Sequence, residues 1–557
     1  MNQKHLHKVD TIAAQLGLGT GDVEPFGWYQ GKLSLELLTR LANRPQGKYI
    51  GVTAINPTPL GEGKTVTTIG LAMGLCRLGK NAIATLRQPS QGPVFGIKGG
   101  GSGGGKATLE PAQKINLHFT GDLHAIASAN NLLAAMLDNH LKRGKTPRLD
   151  PATVLWRRVI DVCDKGLASI LTGRDEPPMA PLRETGFDLT AASEVMAIIA
   201  LASDLQDMRK RLGRIVVGQT AEGEIVTAEQ IGAAGAMASL LVDAIRPNLV
   251  QTAEGTPALV HAGPFANIAH GNSSVIADLM AVRLADYVVT ESGFGSDCGA
   301  EKLFHIKCRA SGLRPDVEVL VCTIRALKYQ SGRFDVRPGR PLPADLLGEN
   351  SDALHAGAVN LQAHLAILQK FGVPTVVAIN RFPNDTDREI AGLRQIAFDS
   401  GATAVAVSDA FAQGGTGAEE LARAVIQATE NPSQFRMLYE LDTTPEEKIT
   451  TLAREIYGAD GVDMAPLALE KLARFSRSGF GSLPLCIAKT QYSLSHDPKR
   501  LGWLKGYRFP IRDVRLAAGA GFLYALAGDI STMPGLPTNP AAQRIDLDSQ
   551  GNIVGLT

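Results

Sequence analysis

Residues 48–86 read KYIGVTAINPTPLGEGKTVTTIGLAMGLCRLGKNAIATL, and this stretch decides the fold class. Residues 48–55 are almost continuously apolar, the pattern of a strand buried on both faces. A glycine-rich turn, TPLGEGKT at 58–65, comes next. Residues 66–78 then carry an apolar helix, and a second strand follows at 81–86. Strand, loop, helix, strand is how a doubly wound parallel sheet begins. The loop reads as a P-loop in its proper place, with one departure: Thr58 stands where the strict pattern has glycine. The reading makes Thr58, Pro59, Leu60, Gly61, Glu62, Gly63, Lys64 and Thr65 a nucleotide-binding segment. Gly61 and Gly63 let backbone N–H groups turn toward phosphates. Lys64 reaches the β- and γ-phosphates, and Thr65 is placed to ligate the Mg2+ of a nucleotide.

Working outward, short strands rich in β-branched residues recur at 214–217, 258–261, 287–290, 317–323 and 375–379, with helical stretches at 228–245 and 358–371. The alternation extends the same parallel sheet, whose ligands belong at the carboxyl ends of the strands. Residues 331–347, rich in proline and arginine, read as a surface excursion, and a second seam lies near 457–460. Residues 482–557 read as mostly β with Pro/Gly turns. A chain of 557 residues holds more than one core. The 56 Lys+Arg and 55 Asp+Glu leave a net charge of +1, which excludes the basic footprint of a nucleic-acid binder. No apolar run reaches the roughly 18–20 residues of a membrane helix, and residues 1–25 show no secretory signal. The expectation is a cytoplasmic protein without nucleic-acid or membrane partners. Cys76, Cys163, Cys298, Cys308, Cys322 and Cys486 form no C-x-x-C pair and read as reduced, mostly buried thiols.

Further motifs gather at strand ends. Arg87 follows the strand at 81–86 and precedes a glycine run reaching 105. A guanidinium there can fork onto a carboxylate or phosphate, and the glycines form either a spacer or a backbone cradle. His118, Asp122 and His124 resemble metal ligands, but nothing nearby completes a metal motif, so polar bracing of the glycine run is the favoured role. Asn380 ends a buried strand, where P-loop proteins often read a purine edge. Phe382, beside Pro383, and Phe411 are aromatics at two strand ends, and together suggest a slot for a flat heterocycle.

The ordered set TPLGEGKT, LRQPSQGPVFGIKGG, INLHFTGDLHAI, RETGFDLTAASEVMA, PNLVQTAEGTPALVHAGPFANIAHG, ADYVVTESGFGSDCGAEKLFHIKCR, GVPTVVAIN, IYGADGV, AKTQYS and MPGLP resembles the formate–tetrahydrofolate ligase family over essentially the whole chain. The resemblance implies a reaction in which MgATP activates formate as formyl phosphate and the formyl group passes to N10 of tetrahydrofolate. It implies that Lys64 and Arg87 are catalytic, that Arg87, Phe294 and Gly299 line the formate and formyl phosphate pocket, and that Phe382, Pro383 and Phe411 hold the pterin. It also implies a homotetramer. The expected architecture is α/β: residues 1–365 as a large doubly wound P-loop domain for nucleotide and formate, residues 366–460 as an α/β domain contributing the folate and adenine site, and residues 461–557 as a smaller C-terminal α/β domain.

The chain departs from the family at named positions. Gln88 stands where many bacterial members carry a glutamate associated with a monovalent-cation site, so cation activation is not carried over. Lys106 replaces a tyrosine, Phe411 a tryptophan, and Arg381 a small residue. Lys106 and Arg381 are either plain solvated charges or contacts for a folate polyglutamate tail. Two rivals stay open: a non-catalytic P-loop switch, and a folate-binding pseudoenzyme of the same family.

Overall fold

The computed structural model describes residues 6–98, 100–174, 181–336, 341–528 and 530–556. Its centre is a 12-stranded mixed sheet. The strands are β1 (Val23–Pro25), β2 (Gly31–Leu33), β3 (Lys48–Ala54), β4 (Ala82–Leu86), β5 (Gly103–Gly104), β6 (Ala107–Glu110), β7 (Asn248–Thr252), β8 (Pro257–Val260), β9 (Tyr287–Glu291), β10 (Val317–Cys322), β11 (Thr375–Asn380) and β12 (Ala404–Ser408). Their order is β1-β2-β7-β8-β4-β9-β3-β10-β11-β12, with β6 on β7 and β5 on β6. From β8 to β12 every pairing is parallel. The β1, β2 and β7 edge is antiparallel. The chain is thus an α/β protein built on a large mixed sheet.

Alternation along the strands explains why helices cover both faces. In β3, Ile50, Val52 and Ala54 enter one core, while Tyr49, on the other face, enters a second. The first core takes Ile69, Ala72 and Met73 from α1 (Lys64–Arg77). The second takes Leu133 and Leu137 from α2 (Asp122–Arg143), Ile276 and Met280 from α3 (Val275–Leu284), Leu327 from α4 (Ile324–Gln330), and Leu361 and Leu365 from α5 (Val359–Lys370).

The strand expected at 214–217 lies outside this sheet. Val216–Gln219 instead pairs antiparallel with Ile225–Thr227 as a separate ribbon. The helix expected over 228–245 is interrupted: Ala228–Ile231 ends at Gly232 in the left-handed conformation, φ +78°, and Ala234–Leu240 follows. The boundary expected at 365/366 falls inside α5, and β11 and β12 continue the sheet beyond it. Part of the excursion at 331–347, residues 337–340, lies outside the described residues. Toward the C-terminus, β13 (Leu485–Lys489) pairs parallel with β15 (Phe522–Ala527), which pairs antiparallel with β14 (Asp513–Ala517). Among the described residues no helix is long and apolar enough to cross a membrane.

Candidate active site

The carboxyl ends of the parallel strands meet at one edge, and the loop after β3 is its centre. Its shape comes from its own side chains. Glu62 is buried and accepts from Thr58 N at 2.8 Å and Thr58 Oγ1 at 2.9 Å. Burial raises the Glu62 carboxyl, against the opposing pull of Lys64 and the Thr58 bonds. Asn380 Nδ2 donates to Glu62 O at 3.0 Å and lies so close to Gly63 that a Cβ there would overlap it. Gly63 also holds φ +77° at the start of α1, so both space and backbone demand glycine. Glu62 and Asn380 therefore spend their side chains on the loop's shape, while Lys64 and Thr65 open the helix.

Lys64, Thr65 and Arg87 come together around a residue the sequence reading passed over, Glu291. Thr65 Oγ1 donates to Glu291 Oε2 at 2.8 Å, and Arg87 Nη2 lies 3.8 Å from Glu291 Oε1. Arg87 also donates through Nη1 to Pro264 O at 3.2 Å. Burial lowers the Lys64 ammonium, Glu62 and Glu291 counter this, and Arg87 adds to it. Two cations and a hydroxyl at a helix N-terminus make a site for a polyanion. The arrangement follows from strand order. β9 lies between β3 and β4, so its last residue, Glu291, reaches both the loop after β3 and the residue after β4.

The loop after β9 carries the next two expected residues. Phe294 adopts φ +63°, a strained conformation for a bulky side chain, costing roughly 1–3 kcal/mol. Gly299 closes a turn by donating from its N to Gly295 O at 2.8 Å. A Cβ at Gly299 would overlap the Gly293 carbonyl oxygen and stand 2.9 Å from Gly293 C and N. Gly293 in turn sits against Arg87, whose Nη1 and Nη2 lie 3.0 Å from where its Cβ would be. The loop is pinned from beneath by a buried network that was also missed. Asp297 pairs with Lys489 of β13 at 2.6 Å, both fully buried, and accepts from Asn56 Nδ2 at 3.3 Å. Burial pushes the Asp297 carboxyl up, but Lys489, His364 and the hydrogen bonds outweigh it, and it stays below the usual range. Ser296 Oγ and His364 Nδ1 lie 2.6 Å apart.

At the far end of the edge, Phe382 and Phe411 follow neighbouring strands, with Asn380 registered to Ser408 and Arg381 N donating to Ser408 O at 2.9 Å. Phe411 is 57% exposed, which no core position explains. It rests on the glycine run: a Cβ on Gly104 would lie 3.2 Å from its ring. Lys106 N donates to Phe411 O at 2.8 Å. Gly70 and Gly74 of α1 permit this placement, because a Cβ on Gly70 would overlap Ala410 and one on Gly74 would lie 2.9 Å from Ala418 O. Phe382 carries the Arg325 guanidinium on one face, 3.5 Å from ring centroid to Cζ, and Pro383 adjoins it on the wall of a cavity of about 180 Å3.

The glycine run is braced by Asn116, whose Oδ1 accepts from Gly101 N at 2.8 Å and whose Nδ2 donates to Ser102 Oγ at 3.0 Å. Asp122 is committed elsewhere, to Lys32 Nζ and Asn248 Nδ2, each at 2.7 Å. His118 meets Gln91 Nε2 at 3.3 Å, and His124 is exposed. Among the described residues no group of three or more His, Cys, Asp or Glu could hold a metal ion.

The family model described as formate–tetrahydrofolate ligase matches residues 1–557. The chain belongs to this family. It is 56% identical over 552 residues to the formate–tetrahydrofolate ligase of Roseiflexus sp. (strain RS-1), covering 99% of this chain and 98% of that protein. To that of Saccharopolyspora erythraea it is 54% identical over 552 residues, with the same coverage. To that of Cutibacterium acnes it is 50% identical over 554 residues, covering 100% of this chain and 98% of the relative.

The positions expected from the sequence to differ from the family have definite surroundings. Gln88 is buried, with Nε2 lacking an acceptor among the described residues. Lys106 is exposed, and Arg381 lies 3.7 Å from exposed Asp387 at the surface, a pair worth little in water.

Proposed function

We propose that the chain ligates formate to N10 of tetrahydrofolate at the expense of ATP, through formyl phosphate, yielding 10-formyltetrahydrofolate, ADP and phosphate. The observation that carries this reading is the convergence of Lys64, Thr65 and Arg87 at one strand edge, in a chain that matches the family from end to end. Formate is a poor electrophile, so its oxygen first attacks the γ-phosphorus and ADP leaves. The N10 lone pair then attacks the formyl carbon, phosphate departs with the C–O electron pair, and N10 loses its proton.

In this reading residues 58–65 act as a P-loop. Thr58, Pro59, Leu60, Gly61, Glu62 and Gly63 shape the cradle, and Asn380 adjoins it. Lys64 meets the transferring phosphoryl group, and Arg87 forks onto formate and formyl phosphate. Phe294 and Gly299 bound that pocket, and Phe382, Pro383 and Phe411 hold the pterin. Mg2+ would sit at the Thr65 hydroxyl with the Glu291 carboxylate beside it, hard oxygen donors of the kind it takes together with phosphates and water. Held there, it would supply positive charge to offset the phosphates of the nucleotide. The six cysteines are free, which fits a reducing cytoplasm. Exposed Leu155, Leu171 and Leu182 offer apolar surface to the other copies of a homotetramer. The functional division at 365/366 and 460/461 stays part of the proposal, with the first two parts sharing one sheet.

The test is ADP release with each substrate omitted in turn. A ligase releases ADP when formate and tetrahydrofolate are both present. Release without either would make the chain a nucleotide switch, and no release under any condition would make it a pseudoenzyme.

A further inference from the structure

Arg325, at the second position of α4 just beyond β10, joins two parts of the site that are otherwise separate. Its Nη2 donates to Leu60 O at 2.7 Å, in the middle of the loop read as the phosphate cradle. Its guanidinium carbon lies 3.5 Å above the centroid of Phe382, the aromatic read as one side of the folate slot. Burial lowers the guanidinium from its ordinary value, opposed by Asp385, whose Oδ2 accepts from Phe382 N at 2.8 Å, and by Glu62, which shapes the cradle. Its Nε is buried with no acceptor among the described residues. Arg325, Phe382, Pro383 and Asp385 share the wall of the cavity of about 180 Å3. One rigid, planar cation therefore touches the loop backbone with its edge and the aromatic with its face.

We propose that Arg325 is a positioning residue that couples nucleotide binding to tetrahydrofolate binding. The proposal rests on reading residues 58–65 as the nucleotide cradle and Phe382 as a pterin contact. The guanidinium is planar, so the direction of its bond to Leu60 O fixes the plane that lies on Phe382. When nucleotide sets the cradle backbone, Leu60 O is fixed, the guanidinium plane is fixed, and the ring it covers is held with its opposite face presented for stacking. A pterin stacked on that face holds the same chain from the other end. By reciprocity each ligand tightens the other by the same factor. Lysine could keep the charge and a donor to Leu60 O but offers no plane to the ring, so charge alone does not transmit the coupling.

The experiment measures the Kd of tetrahydrofolate with and without saturating ADP in the full chain, for wild type, Arg325→Gln, Arg325→Lys and Phe382→Ala, with thermal unfolding of each. The expected result is that ADP tightens tetrahydrofolate about 5-fold or more in wild type. In Arg325→Gln the ratio falls to about 1, and Arg325→Lys does not restore it, while all three remain folded. A merely structural role would lower the unfolding temperature and leave the ratio alone. The proposal is overturned if wild type shows no coupling, if Arg325→Gln keeps the wild-type ratio, or if Arg325→Lys restores it in full. If Arg325→Gln does not fold, the ratio in Arg325→Lys decides. Phe382→Ala separates the two levels. An unchanged tetrahydrofolate Kd there refutes the folate-slot reading and the proposal with it. A raised Kd, with coupling intact in the Arg325 variants, refutes the proposal alone.

Discussion

Adding one methyl group at Gly299 should disable the formate half of the site while leaving the nucleotide half working. The Cβ of Gly299→Ala would overlap the Gly293 carbonyl oxygen and stand 2.9 Å from two further Gly293 backbone atoms. Carbon contacts become favourable only at about 3.5 Å, so the backbone must part by at least roughly 0.6 Å, and by more at the oxygen. No flexible side chain can absorb this, because both partners are main chain. The turn itself cannot slide. Asp297, two residues earlier, is clamped by Lys489 at 2.6 Å, and Gly299 N is held by Gly295 O at 2.8 Å. The strain therefore moves Gly293, which lies against the Arg87 guanidinium. A displacement of about 1 Å at a group that positions a reacting carboxylate costs on the order of 10²-fold in rate, and overpacking costs roughly 1–3 kcal/mol of stability. The assay is steady-state kinetics with formate, ATP and tetrahydrofolate varied in turn, beside thermal unfolding. We expect kcat to fall by about two orders of magnitude or the formate KM to rise comparably, with the ATP KM within about twofold. A folded Gly299→Ala enzyme with wild-type formate kinetics would refute the link from Gly299 through Gly293 to Arg87.

Arg87→Lys should keep charge yet raise the formate KM about tenfold or more with the ATP KM unchanged, because an ammonium cannot fork onto a carboxylate; substrate-variation kinetics check it. Phe411→Ala should raise the tetrahydrofolate KM roughly tenfold through lost area and stacking and leave the ATP KM alone, while Phe411→Trp should be tolerated. Replacing Na+ by K+ at constant ionic strength should change the rate by less than about twofold, because Gln88 places a buried amide where a carboxylate would attract the ion. Stability should fall in acid through His261. Burial, with Lys32 adding, lowers this imidazole from 6.5 to about 4, and its ring nitrogens lie 2.6 Å from Ser274 Oγ and 2.7 Å from Ala244 O. The folded state resists protonation that the unfolded chain accepts, so the contribution is full above pH 6.5 and is lost as pH falls toward about 4, by up to roughly 3 kcal/mol. Urea unfolding at pH 4–8 should show this slope, and His261→Gln should make it shallower by one imidazole's share, since buried His364, His270 and His305, also lowered by burial, supply the rest.

Local pattern carried the strands of the parallel sheet. Residues 48–55 predict a strand, and Lys48–Ala54 forms one, because a strand buried on both faces must be continuously apolar. The antiparallel edge was not legible: Val23–Pro25 and Gly31–Leu33 are three-residue strands whose identity depends on β7, more than 200 positions away. The strand expected at 214–217 shows the limit of the same logic, since β-branched residues favour a strand without naming its sheet. Glu291 was missed for a related reason. As the last residue of YVVTE it looks like an ordinary strand end, and its role depends on β9 lying between β3 and β4, which no local signal reports. An acidic residue closing an apolar strand, in a chain whose TPLGEGKT segment reads as a phosphate loop, was the available clue. Arg325, Asn56 and Lys489 carried no clue, because their partners are 265, 241 and 192 positions distant. The INLHFTGDLHAI segment does supply the brace of the glycine run, but through Asn116. Asp122, expected in that role, goes instead to Lys32 and Asn248, the former 90 positions away.

The two contacts of Glu291 differ in kind, and the difference bears on how the site admits its substrates. Its bond to Thr65 is a well-formed 2.8 Å hydrogen bond, while its approach to Arg87 is 3.8 Å and makes none. Arg87 spends one donor on Pro264 O, and the loose ion pair leaves the rest of its fork for a ligand. Removing Glu291 would leave Lys64 and Arg87 as neighbouring like charges in a half-buried pocket, where burial and each other's field already disfavour the Lys64 proton. A carboxylate held firmly on one side and loosely on the other balances those cations in the resting enzyme. In the proposed reading it would also yield Arg87 to an incoming formate at little cost, because the pair being broken is long, 3.8 Å, and lacks a hydrogen bond. Two cations so balanced form a pocket already shaped for anions, and if the proposed chemistry runs there, its electrostatic stabilisation would not have to be assembled during the reaction.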